Sequence, residues 1–114
     1  MIHAPRVQKA QILAGTLSRE FKLSVGSDYP ETVVIFLEIS ALSSAEVLDF
    51  YGQSPGQDDY ATTVLTTQLD LNANESTTVR TMLLATTSGP LHKLKLTAQG
   101  IAASETVDIT VISW

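Results

Sequence analysis

Residues 62–114 alternate apolar and polar side chains with a period of two. Val64, Thr66, Gln68 and Asp70 fall on one face and Leu65, Leu69 and Leu71 on the other. A second run carries Thr77, Val79, Thr81, Leu83 and Ala85 on one face. A third sets Leu94, Leu96 and Ala98 against Lys93, Lys95 and Thr97, and a fourth sets Val107, Ile109 and Val111 against Thr106, Asp108 and Thr110. Only a strand turns successive side chains to opposite faces, and a slip of one residue would send each apolar set into water. The pattern therefore predicts consecutive β-strands running to the C-terminal Trp114.

The first half reads the same way. In residues 20–26, Phe21, Leu23 and Val25 point inward and Lys22 and Ser24 outward, and Ser27, Asp28 and Pro30 then supply turn chemistry. Residues 31–40 are the most hydrophobic run. Val33, Ile35, Leu37 and Ile39 share a face while Val34 and Phe36 occupy the other, which predicts a central strand partly covered on both sides. Around Val47, Leu48, Phe50 and Tyr51 the pattern fits a strand or one helical turn, and the aromatics favour strand. Residues 52–60 form the longest loop, polar and rich in Gly, Pro and Asp, where a specific contact is expected. Residues 1–15 read as an N-terminal arm or first edge strand, because Pro5 keeps the start out of a central strand. With turn signals about every 8–12 residues and no amphipathic helix, the expected fold is all-β: an antiparallel Greek-key β-sandwich of immunoglobulin-like type with about seven or eight strands. Residues 1–15 are expected as the arm or edge strand and 16–114 as the sandwich.

Composition narrows the chemistry. With no Cys in 114 residues there is no disulfide, thiolate metal site or Cys nucleophile. A formal charge of −5 argues against binding nucleic acid, which needs clustered Lys and Arg. Lys93 and Lys95 share a strand face and read as a solvated, edge-protecting pair. No run approaches a membrane span, and the start carries no long apolar segment of a secretory signal. His3 and His92 are far apart with no ligand at metal spacing, and no nucleophile elbow, phosphate loop or zincin motif is present. No catalytic residue, cofactor or metal is therefore expected. Asp58 and Asp59, with Asp28 and Glu31, read as solvated turn carboxylates rather than calcium ligands. The sequon at Asn74 and Ser76 reads as a tight turn. Tyr29, Tyr51, Tyr60 and Trp114 could stack on sugar, yet a terminal Trp makes better sense packed under a loop or against another subunit.

Leu69-Asp70-Leu71, the Asn72 to Ser76 turn and Thr77-Thr78-Val79 together resemble a step found in bacterial Ig-like accessory domains. The families are the alpha-galactosidase-associated Ig-like domain and the cell-adhesion-related bacterial domain. Ser88 to Ala98 and Thr106 to Val111 are similar to their last two strands. Asn72 and Asn74 stand where those families usually carry Pro and Gly, an exchange that Asn tolerates in the left-handed conformation. The resemblance implies spacing, docking or adhesion, without catalytic residues.

In size, composition and strand pattern the chain also resembles the small capsid decoration, or cement, proteins of tailed bacteriophages. That resemblance implies a non-enzymatic structural protein on the virion surface. Its partner would be a protein surface, the major capsid protein, and it would form a homo-oligomer such as a trimer, with no nucleic acid or membrane involved. Ile2, His3, Pro5, Arg6 and Val7 of the arm, Asp58, Asp59 and Tyr60 of the long loop, and Trp114 are the expected contacts. The alternative is an accessory Ig-like spacer or glycan-binding module of a secreted enzyme or adhesin, extracellular or on a cell surface, with Tyr29 and Tyr60 on the glycan.

Overall fold

The alternating runs become strands in the computed structural model of the protein, which describes residues 5–25, 28–40, 46–56, 58–60, 69–71, 79–85 and 91–114. For residues 46, 47, 69–71 and 79–85 only the backbone is described. The strands are β1 (Arg6–Ile12), β2 (Ser18–Lys22), β3 (Val33–Ile39), β4 (Glu46–Gln53), β5 (Leu69–Leu71), β6 (Val79–Ala85), β7 (Lys93–Ala98) and β8 (Val107–Ser113). Among the described residues there is no helix. The expected strand in residues 62–68, the turn at residues 72–76, and Ile2 and His3 lie outside the described residues.

Two antiparallel sheets form, in the orders β1-β8-β3-β6 and β2-β7-β4-β5. The pairing is nested: β1 pairs with β8, β2 with β7, β3 with β6 and β4 with β5. The chain is thus one long hairpin doubled back on itself, and the β3–β8 and β4–β7 pairings wrap it into two layers. The all-β, two-sheet antiparallel expectation is met, while the immunoglobulin-like strand order is not confirmed. In that fold the first two strands are neighbours in one sheet, whereas β1 and β2 here belong to different sheets. Alternation assigns each side chain a face but says nothing about which strand lies beside it.

The apolar sets predicted from the period face each other between the sheets. Ile35, Leu37, Ile109 and Val111 from the first sheet and Leu48, Phe50, Leu94 and Leu96 from the second are almost fully buried. Each contributes roughly 1.5–3 kcal/mol by leaving water. The placement of β3 between β8 and β6 agrees with its hydrophobic sequence. One inward residue was misread: Val25 is exposed, because β2 ends at Lys22 and the alternation beyond it no longer follows a pleat.

β1 and β2 are the open edges of their sheets on one flank of the sandwich, and polar side chains close the seam between them. Arg6 Nη1 and Gln8 Nε2 donate to the Lys22 carbonyl at 2.9 and 3.0 Å, and Arg19 Nε donates to the Gln11 carbonyl at 2.6 Å. These three residues occupy the same alternate positions as the buried sets of β8 and β7, which is why they reach across rather than outward. Lys95 and Lys93, expected to protect an edge, lie instead on β7, an interior strand of the second sheet.

Candidate interaction surface

The two outer sheet faces differ. On the second sheet the outward rows are Glu20–Lys95–Tyr51 and Lys22–Lys93–Gln53. Here Asp49 and Gln53 of β4 are buried although polar. The connection after β4 lies over this face. Lys95 Nζ sits 4.7 Å from the ring centroid of Tyr60 and 5.1 Å from that of Tyr51, one cation against two rings. Tyr60 Oη is buried with no hydrogen-bond partner among the described residues. Burial first, and the nearby Glu20 carboxylate second, push its pKa up to about 12. Glu20 acts on the phenol through its charge rather than through a well-formed hydrogen bond.

The first sheet carries an apolar band on its outer face. The register places Val7 of β1, Ile112 of β8 and Val34 of β3 in one row, and Lys9, Thr110 and Phe36 in the next. The same rows continue on β6 to the positions of Leu84 and Met82. Val7 is 55% exposed and Phe36 37%, while Val34 and Ile112 beside them are half-buried. Further along, the face turns polar: Gln11 Nε2 donates to Asp108 Oδ1 at 2.6 Å, and Glu38 stands across from Asp108.

The apolar band runs toward the end of the sandwich where β1 begins and β8 ends. Arg6 opens β1 opposite Ser113, the last residue of β8, and its side chain reaches Lys22 at the end of β2. Here a cleft of about 290 Å³ opens between the sheets. Trp114, Tyr29 and Pro30 form walls, Leu23 and Ser113 are buried linings, and Arg6 and Asp28 supply opposite charges. The backbone fixes these groups. Glu31 and Thr32 N–H donate to the Trp114 carbonyl at 2.9 and 3.0 Å, Trp114 N–H donates to Thr32, and Val25 and Asp28 exchange two bonds of 2.9 Å. Val25, 60% exposed, and Trp114, 39%, both line the cleft.

Four of the expected contact residues gather here. Arg6 and Trp114 line the cleft, Val7 lies in the apolar row, and Pro5 is exposed beside them. Asp58 and Asp59 are exposed on the other connection and Tyr60 is engaged with Lys95, on the second sheet. Sequence reasoning missed Val34, Phe36 and Ile112 as surface candidates. Their signal was legible: β3 is apolar on both faces, and Ile112 breaks the polar set Thr106, Asp108 and Thr110. His92 is half-buried with Nδ1 2.6 Å from Ser24 Oγ. Compared with models of protein families and with curated proteins, the chain matches none.

Proposed function

We propose that the protein is a non-enzymatic capsid decoration (cement) protein, docking on the surface of a virion through the outer face of its first sheet and the adjoining cleft. The observation that carries this is the asymmetry of the faces among the described residues: the connection after β4 lies over one, while the other presents Val7 and Phe36 exposed beside the half-buried Val34 and Ile112. An uncovered apolar band with polar surroundings is the mark of a protein-binding surface. The closed β1–β2 seam directs association to this face rather than to that edge. We read the nested pairing as a jelly roll, an architecture shared by viral capsid and lectin domains. That likeness is one of fold and leaves function to the site. A homo-oligomer such as a trimer, repeated over a symmetric capsid, would turn shallow contacts into strength through avidity.

The glycan-binding alternative gains less support. One face of the Tyr60 ring is taken by Lys95, and Tyr29 lies in the cleft rather than beside Tyr60 on a common platform.

The test is light-scattering mass determination of the full-length protein, alone and with virus particles from its source. Saturable, fixed-stoichiometry association is expected, and Val7→Asp, at a 55% exposed position of the same face, should abolish it while the protein keeps its cooperative urea transition. A protein that ignores particles but is retained on a polysaccharide column would replace this reading with the accessory-module one.

A further inference from the structure

The cleft at the end of the sandwich points to the chemistry of the docking partner. We propose that it takes one apolar side chain from an extended peptide segment of the docked surface, while Arg6 and Asp28 hold that segment's backbone. The inference rests on the docking reading above and specifies what is recognised.

Size comes first. At about 290 Å³ the cleft falls at the lower bound of ligand pockets, roughly 300–1,000 Å³, so it suits a side chain rather than a nucleotide or an organic cofactor. Its walls come next. Trp114, Tyr29 and Pro30 are rigid and lose little entropy on contact, the property that makes such residues anchors in interfaces. Leu23 gives the interior an apolar surface. The backbone bonds from Glu31 and Thr32 to Trp114, and between Val25 and Asp28, hold the walls in place before anything binds.

Charge then selects the ligand class. Arg6 is anchored by its 2.9 Å bond to the Lys22 carbonyl, and Asp28 lines the same cleft. A phosphate or acidic sugar would meet Asp28, and a basic segment would meet Arg6. An extended peptide offers both a carbonyl for the guanidinium and an N–H for the carboxylate, and carries no net charge. It is the ligand to which neither group objects.

The probes are capped pentapeptides, acetyl-Ala-Ala-X-Ala-Ala-amide, with Leu, Phe, Asp or Lys at X. The protein has one Trp, so its emission reports on the cleft directly, and amide NMR shifts at Val25 and Asp28 give a second readout. The Leu and Phe peptides should shift Trp114 emission to the blue saturably, with the Asp and Lys peptides about tenfold weaker or worse. Val25→Asp, at an exposed position, should weaken the Leu peptide by about tenfold at an unchanged urea midpoint. No saturable response, equal binding of the charged peptides, or full binding by Val25→Asp would overturn the proposal. Particle association measured in parallel separates the two readings. Intact particle binding with no peptide response removes the cleft and leaves the docking; a peptide response without particle binding does the reverse.

Discussion

Lys95 shows what a single side chain contributes beyond its charge. Its period places it on the outer face of β7, and the sequence alone suggests a solvated lysine. In the fold it lies between Tyr51, its register neighbour on β4, and Tyr60 from the following connection, so it pins that connection to the sheet. The pin leaves Tyr60 Oη buried, with no hydrogen-bond partner among the described residues. Removing the hydroxyl removes a desolvated group with no partner, so Tyr60→Phe should be neutral or slightly stabilising at pH 7 in urea unfolding. The alkaline limb should differ. The folded pKa of about 12 stands above the ordinary value of 10.0, so the folded state holds its proton where the unfolded state has lost it. This contribution is complete below pH 10.0 and is lost as pH rises through about 12. Wild-type urea midpoints should therefore fall more steeply than those of Tyr60→Phe across that window, and parallel curves would refute the burial of the phenol. None of this could be read from sequence, because the partner of Lys95 comes from a loop whose path over the sheet has no periodic signal.

At the level of the strands, β1 decides how the chain's first residues behave. It pairs with β8 along its whole length, from Arg6 against Ser113 to Ile12 against Val107, and Ile12 is fully buried. Removal of residues 1–14 would expose one side of β8 and release the seam bonds held by Arg6, Gln8 and Arg19. Loss of Ile12 alone is worth about 2–5 kcal/mol by analogy with large-to-Ala changes, and a domain of this size has only about 5–15 kcal/mol in hand. The truncated protein should lose its cooperative urea transition and associate through the exposed β8, visible as rising mass in light scattering. The strand itself was legible only in part. Its alternation is shallow because Arg6 and Gln8 take inward positions, where a sequence reader looks for apolar residues and finds the polar groups that bridge to β2. Strands β3 and β7 read cleanly, since their inward sets are uniformly apolar, and β8 does so as far as Val111.

Over the whole molecule, the period of two and the turn signals disclosed an all-β, two-sheet protein but not the order of its strands. An immunoglobulin-like order and the nested order place the same residues on the same faces, so no local pattern separates them. What separates them is pairing between residues far apart, as between Gln11 and Asp108 or Arg6 and Ser113. The same remoteness governs kinetics. The outermost pair of the nested hairpin closes nearly the full chain, and folds dominated by such pairings reach the native state in milliseconds to seconds. Stopped-flow refolding should be slow on that scale, and a microsecond phase carrying the full amplitude would contradict the topology. The nesting also brings the first and last strands side by side, with Arg6 against Ser113 at the cleft end and the turn around Gly15 at the other. Gly15 is exposed and a side chain built on it would meet nothing within 4 Å. For anyone using the protein as a display scaffold, the familiar choice of a fusion beyond Trp114 would set the cargo against the cleft. A cargo inserted at Gly15 would stand at the opposite end of the strands, clear of the cleft.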